Sequence, residues 1–405
     1  MFLNALHLQC FRNYTDQRVV FDAPKTILLG DNAQGKTNLL EAVELLSTLK
    51  SHRVSRDRDL ILSDKPKGQI TGHLSRHLSA VDLAIILRHQ GRRTVSVNGE
   101  SLKRHLDFLS ILNVVPFSSL DLELIRGSPE NRRNWLDRLL TQLEPFYAHI
   151  LQQYHQVLRQ RNALLKKARA TLSATAVSNQ GFEGGDKTSD PISPSELALW
   201  DAQLVATGTR VIRRRERVVE RLAPLAQTWH RAISGHTEHL EMTYQPNVLF
   251  SPGHLDSSAE PRSGLAAEQI QQAFLEKIKT RAVAEQFQGT TLVGPHRDDI
   301  DLRINQDSAR QYGSSGQQRT LVLALKLAEL QLIEEVVGEP PLLLLDDVLA
   351  ELDLNRQNQL LDAIQDRFQT LITTTHLGAF DAQWLEHTQI LSVKAGEVSY
   401  FSQSD

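Results

Sequence analysis

The sequence predicts an α/β fold in which both chain ends build one domain, residues 1–105 and 288–405, and a mostly helical domain, 106–287, is inserted between them. Three observations predict it. Short apolar and alternating runs crowd the two ends, as strands do. Apolar residues at three- and four-residue spacing fill the middle, as in helices that bury one face. A glycine-rich loop near the start finds its acidic counterpart only near the other end, so the ends must meet.

The elements follow in order. Leu6, Leu8 and Cys10 alternate with polar residues, which marks a half-buried strand. Val19–Phe21 and Thr26–Leu29 are further short runs, and the second stops at Gly30. A helical pattern begins near Lys36 with Leu39, Leu40, Val43, Leu46 and Leu49. Ile70–Leu74, Asp82–Leu87 and Thr94–Val97 read as strands, the last ending in the hairpin signal Asn98-Gly99. From about Leu106 to Gln286 the pattern is of long helices: Asn131–Leu143, Phe146–Ala170, Glu196–Ile233 and Ala266–Phe287. Polar, Gly- and Ser-rich stretches at 173–195 and about 247–264 read as loops, the first a flexible one. Strands return at Thr290–Val293 and Ile300–Ile304, a helix at Gln317–Val336, a strand at Leu342–Leu345, a helix near Leu354–Phe368 and a strand at Leu371–Thr375. Ile390–Val393 and Val398–Phe401 close the chain as a hairpin around Gly396.

Composition excludes several classes. The chain has 405 residues, 40% hydrophobic and 23% charged, which is ordinary globular usage and argues against disorder or a collagen-like repeat. Lys and Arg number 45 against 48 Asp and Glu, so the chain is not a globally basic nucleic-acid glove, although local basic patches are open to it. A single cysteine, Cys10, forbids an intrachain disulfide and a four-cysteine zinc site. No secretory signal and no apolar run of about 20 residues is present, so a soluble, cytoplasmic protein without a membrane partner is expected.

Gly30-Asp31-Asn32-Ala33-Gln34-Gly35-Lys36-Thr37 fits G-x-x-x-x-G-K-[ST] between an apolar strand and an amphipathic helix. Glycines let backbone N–H groups curl around phosphates, and the helix adds its positive end. Lys36 is placed to reach the β- and γ-phosphates of ATP, and the Thr37 hydroxyl to ligate Mg²⁺. A magnesium nucleotide also needs a carboxylate at the end of a neighbouring strand. Leu342–Leu345 followed by Asp346-Asp347 supplies it, with Asp346 as the metal ligand and Asp347 as the group that polarises water.

Three later motifs narrow the class. Gly313-Ser314-Ser315-Gly316-Gln317-Gln318-Arg319 precedes a helix, Ala350-Glu351-Leu352-Asp353 follows the acidic strand, and Thr373-Thr374-Thr375-His376 ends the next one. In this order they resemble the signature, D-loop and H-loop of ABC-type ATPases, and the large insertion resembles the SMC-like branch. Phe11-Arg12-Asn13-Tyr14 resembles that branch's adenine-side segment. A closer resemblance than that to the branch is to the RecF family of bacterial recombination mediators. It is carried by Leu124–Pro129 with Arg132-Arg133 and Leu136-Asp137, by Leu158–Lys166, and by Gly294-Pro295-His296-Arg297-Asp298-Asp299. The signature departs from the family at Ser315.

The resemblance implies an ABC-type head that binds ATP and Mg²⁺ and hydrolyses ATP weakly, with DNA stimulation, as a homodimerisation switch. Ser314, Gly316 and Gln317 would meet the γ-phosphate held by a second subunit, Asp353 would act across the same interface, and His376 would contact the γ-phosphate. It further implies binding to single-stranded and gapped double-stranded DNA, recombinase loading with RecR and RecO, and a part in DNA replication and SOS induction. Candidate phosphate contacts are Arg213, Arg214 and Arg217 in one arginine-rich helix, and Lys50, Arg53 and Arg56 after the phosphate-loop helix. Arg159, Arg161, Lys166, Lys167 and Arg169 form another basic run, to be weighed against a solvated helix face. No aromatic stacking motif supports a single-strand platform of the OB type. The alternative is the ATPase subunit of a membrane transporter, which shares the nucleotide motifs but lacks the arginine-bearing insert. A small-molecule phosphotransferase would not need Gly313–Gln317 or Asp353.

Overall fold

The protein is described by a computed structural model in all residues but 55, 78, 179–193, 249–265, 365–366, 379, 381 and 402–405. The greater part of each expected polar loop, 173–195 and 247–264, therefore lies outside the described residues.

The first third of the chain carries β1 (Phe2–Phe11), β2 (Tyr14–Val20), β3 (Lys25–Leu29), α1 (Lys36–Thr48), β4 (Lys67–Ser75), β5 (Ala80–Arg88), β6 (Thr94–Val97), β7 (Glu100–Ser101) and β8 (Val114–Ser118). The middle holds α2 (Glu123–Arg126), α3 (Pro129–Leu143), α4 (Phe146–Ser178), α5 (Pro194–Ile233), β9 (Leu240–Gln245) and α6 (Ala267–Gln288). Then come β10 (Asp299–Ile304), β11 (Asp307–Ser308), α7 (Ser315–Val337), β12 (Leu342–Asp346), α8 (Leu354–Ile364), β13 (Thr370–Thr374), α9 (Ala382–Glu386), β14 (Thr388–Lys394) and β15 (Glu397–Tyr400).

A six-stranded sheet in the order β15-β14-β3-β13-β12-β8 joins the two ends of the chain. Its strands from β14 to β8 run parallel. β12, four leucines and an aspartate, is nearly all apolar because both of its faces are covered. Leu28, Leu342, Leu344 and Leu371 face one core, and Ile27, Leu343, Leu345 and Ile372 the other. The first core packs α1 between this sheet and an antiparallel sheet, β2-β1-β4-β5-β6-β7. Leu39, Val43 and Leu46 meet Leu3, Leu6 and Leu8 there. The second core joins α3, α5 and α7, with Trp135, Leu136, Leu222, Leu321 and Leu325. Asn98 and Gly99, with φ of 51° and 81°, form the expected hairpin turn.

Two expectations are corrected. The stretch 106–287 is mostly helical, but its start belongs to the head, where β8 is an edge strand of the parallel sheet, and its β9 pairs antiparallel with β10. Pro116 disguises β8, yet an edge strand tolerates a proline, and the Pro116 carbonyl still accepts from Lys326 Nζ at 2.8 Å. Thr290–Val293 is not a strand; it is irregular chain, held where the Asn162 side chain accepts from Thr291 N–H (2.7 Å) and Glu285 Oε1 from Leu292 N–H (2.7 Å).

Candidate nucleotide site and the surfaces beside it

The loop Gly30–Gly35 leaves the carboxyl end of β3, and the acidic pair leaves the same edge two strands away, at β12. Two of the loop's glycines are required sterically. A Cβ on Gly30 would lie 2.3 Å from the Val393 carbonyl oxygen. Gly35 has φ of 122°, and its Cβ would lie 2.7 Å from Asn13 Nδ2. The loop is also tied from outside. Asn13 Nδ2 donates to Gln34 O (2.9 Å), the Tyr14 hydroxyl to Gly35 O (2.9 Å), and Ala395 N–H to Gln34 Oε1 (2.7 Å). Of the expected adenine-side pair, Asn13 touches the loop. Arg12 grips Glu41 of α1 with two hydrogen bonds, 2.9 and 2.7 Å.

Lys36 Nζ donates to Gly30 O (2.6 Å) and Asp31 O (3.0 Å), so its charge is held within the curl of the loop, at the N-terminus of α1. Asp31, Asn32 and Ala33 are exposed at the tip. Asp346 Oδ1 accepts from the Thr37 hydroxyl (2.9 Å) and the Thr373 hydroxyl (2.8 Å). Thr37 and Asp346 thus come together from opposite ends of the chain, and a hydroxyl beside a carboxylate is the hard-oxygen pairing that suits Mg²⁺. Asp347 follows with φ of 54°, and its N–H donates to Thr373 Oγ1 at 2.9 Å. Partial desolvation raises the Asp347 carboxyl above the usual carboxylate value; Lys36 pulls the other way and Asp346 adds to the rise. Thr373 therefore holds both acids, a role that the sequence reading missed. The signal was its register, since Thr373 pairs with Asp346 across neighbouring parallel strands. His376 is exposed just past β13, its carbonyl accepting from the Thr374 hydroxyl at 2.9 Å.

The signature stands apart from this loop. α1 packs in one core and α7 in the other, and no hydrogen bond among the described residues joins Ser314, Gly316 or Gln317 to Gly30–Thr37. Ser314 caps α7: its hydroxyl accepts from Gln317 N–H (3.2 Å), and Gln317 Oε1 accepts from Ser314 N–H (2.8 Å). Gln317 also donates to Glu238 at 2.9 Å. Asp353 is exposed ahead of α8, and its carboxylate accepts the Arg356 N–H at 3.1 Å, which holds it below its usual pKa.

The basic candidates sort by burial. Arg213 and Arg217 are exposed and, with Arg210 and Arg214, line a groove of about 340 Å³ against Ala267 and Gln271 of α6. Arg214 is half-buried on Glu144 (3.1 Å). Arg215 is buried, bonded to Asp137 (2.9 and 2.8 Å) and to Pro295 O (2.6 Å). Arg161 is likewise buried, on Asp201 and Glu285, each at 2.6 Å. Lys50, Arg53 and Arg56 are all exposed, and Arg53 also reaches the phosphate-loop helix, donating to Asn38 Oδ1 at 2.8 Å. Among the described residues no helix is long and apolar enough to cross a membrane.

Comparison with known proteins agrees with this geometry. The RecF/RecN/SMC N-terminal domain family matches residues 2–397. The DNA replication and repair protein RecF of Trichodesmium erythraeum is 66% identical, covering 99% of both chains. That of Nostoc punctiforme is 64% identical over 98% of this chain and 99% of its own. Among solved structures, the recombination mediator protein RecF of the RecFOR pathway matches as RecF-ATPrS (TM-score 0.85, 30% identity, 99% and 98% of the two chains) and as RecF-ATP (TM-score 0.83, 30% identity, the same coverage). An Smc head bound to the C-winged helix domain of ScpA shares the fold, at TM-score 0.53 and 15% identity over 100% of this chain and 98% of its own. An ABC-type phosphate loop, its acidic strand and these near full-length matches lead to one conclusion: the chain belongs to the RecF family of DNA replication and repair proteins.

Proposed function

We propose that the protein binds ATP with Mg²⁺, dimerises through that nucleotide, and acts on gapped DNA as a recombination mediator. The observation that carries this reading is the convergence of Lys36, Thr37, Asp346 and Asp347 at one sheet edge, with Ser314 capping a helix in the other core. The loop, with Lys36, would hold the phosphates, and Thr37 and Asp346 the metal; bound Mg²⁺ would neutralise charge on the phosphate oxygens. Asp347, with its raised pKa, would take the proton of an attacking water. Hydrolysis would be weak, stimulated by DNA, and serve to release the dimer. The working division is an ATPase head, residues 1–105 and 288–405 together with β8, and an inserted helical arm.

The arm would meet DNA through Arg210, Arg213 and Arg217, which form no ion pair among the described residues, and the head through Lys50 and Arg56. Such contacts track phosphates and carry no base identity. Single-stranded DNA and gap-edge duplex are the expected ligands, and RecR and RecO the expected partners in loading recombinase, which the names of the RecFOR relatives support. Work in replication and SOS induction, in the cytoplasm, follows from the same reading. The transporter alternative finds no support in relatives named for DNA replication and repair along the whole chain.

Light scattering with ATP and Mg²⁺, and then with ADP, tests the proposal. ATP should double the mass and ADP should not. Ser314→Arg should block the dimer while leaving ATP binding at Gly30–Thr37 intact. A monomer in ATP, or an unchanged dimer in the mutant, would overturn the reading.

A further inference from the structure

Arg356 lies outside every motif above, yet it joins two of them. From the first turn of α8 it donates to the Thr320 hydroxyl through Nε (2.9 Å) and to the Gly316 carbonyl through Nη2 (3.1 Å), both in the first turns of α7. Its remaining nitrogen, Nη1, pairs with the Asp353 carboxylate. The three nitrogens of one planar guanidinium thus hold three groups at fixed angles, which a lysine ammonium cannot do. Arg319 of α7 ties the same two segments in the other direction, donating to Glu351 O at 2.6 Å. Gly316 is fitted to this arrangement, since a Cβ there would lie 3.3 Å from Arg356 Nη2.

We infer that Arg356 is a positioning residue that sets Ser314-Gly316 and Asp353 as one rigid face for a second copy of this chain and the nucleotide it carries. The inference rests on the ATP-dependent dimer proposed above. Two further features fit a face that is covered in the assembly. Tyr312, 71% exposed, directly precedes the first motif and Leu354, 73% exposed, directly follows Asp353, and aromatic and large apolar side chains are enriched in such interfaces. Nor is Arg356 neutralised from elsewhere; its anionic partner among the described residues is Asp353 itself.

The test compares wild type with Arg356→Lys and Arg356→Gln by light scattering across protein concentration in ATP and Mg²⁺. Own-site affinity for a fluorescent ATP analogue and the thermal midpoint of the nucleotide-free monomer are measured alongside. The dimer should weaken by about tenfold to a hundredfold in both variants, the worth of one charge-assisted hydrogen bond. Analogue affinity should stay at the wild-type value, the midpoint should fall by no more than about a few degrees, and lysine should not rescue the dimer. Thr320→Val, which removes one anchor and keeps the volume, should weaken the dimer in the same direction. If wild type does not dimerise with ATP, the proposed function fails. If wild type dimerises and the Arg356 variants do so equally well, or if lysine restores the dimer, the inference fails alone.

Discussion

Replacing Arg215 by methionine should destabilise the protein severely, while the same change two residues away, at Arg213 or Arg217, should hardly be felt. Arg215 has 3% of its side chain exposed, and its guanidinium serves Asp137, the Pro295 carbonyl and, at 3.6 Å, Asp298. Asp298 is fully buried, and burial already raises its pKa against the pull of Arg215. Without the arginine the largely buried Asp137 loses its paired cation, and buried Asp298 keeps only the weaker pull of Arg133. Removing one partner of a buried pair costs about 3–5 kcal/mol. With a urea dependence of about 3 kcal/mol per molar for a chain of this size, the unfolding midpoint should drop by roughly 1–1.7 M. Exposed Arg213 and Arg217 should each change stability by no more than about 0.5 kcal/mol. Tryptophan fluorescence reports the transition, because Trp135 lies in the same core. Charge reversal at Arg213, Arg214 and Arg217 should instead lower DNA affinity equally for all sequences, and reduce the salt slope by about two to three. An Arg215→Met protein with the wild-type midpoint would refute this reasoning, as would a charge-reversed stripe with unchanged DNA affinity and slope.

Two further outcomes are expected. Asp347→Asn should slow ATP hydrolysis by about a hundredfold or more with ATP binding retained, and should raise the nucleotide-free thermal midpoint at pH 7.5. The fold raises the Asp347 pKa, so stability falls as pH climbs from the unfolded value through the folded one, and asparagine both removes that charge and tolerates φ of 54°; normal turnover would refute the role. His52, 2.5 Å from Glu44, has its pKa raised chiefly by that hydrogen bond, with burial opposing and Arg138 also lowering it. Its pairing contributes fully below the unfolded value of about 6.5 and is lost as pH rises through the folded value. The stability gap between wild type and His52→Gln should therefore be wider at pH 6 than at pH 9, and equal gaps would refute it.

Much of the site was legible because its chemistry is local in sequence. Gly30–Thr37 sits between an apolar run and a helical pattern, and four leucines before Asp346 specify a strand buried on both faces. What was not legible required the third dimension. Thr373 looked like part of a threonine run until strand register put it beside Asp346. β8 was hidden because Val114–Ser118 contains Pro116 and lies between helical stretches. The arginine-rich helix is the instructive case. Val211, Ile212, Val218, Val219 and Leu222 form its buried stripe, and Arg215 falls in that stripe while Arg210, Arg213 and Arg217 fall outside it. Apolar periodicity thus carried the answer, and counting charges alone concealed it. The same holds for Arg161, which lies between buried Val157 and Leu165.

The arrangement also bears on why a mediator of this kind would use two copies. Lys36 is tied to the loop carbonyls and Thr37 to Asp346, so the glycine-rich loop, the Thr37–Asp346 pair proposed for the metal and Asp347 are already one unit within a single chain. The N-terminus of α7 is equally complete, with Ser314 and Gln317 capping each other, yet it belongs to the other core. A helix N-terminus with a serine cap attracts an anion. Each copy would therefore offer a site for phosphates and, separately, a face to receive them. Two copies can satisfy both faces at once with C₂ symmetry, two nucleotides lying between them. Losing the γ-phosphate would then remove the charge that both faces share, so that hydrolysis in either site weakens the whole dimer.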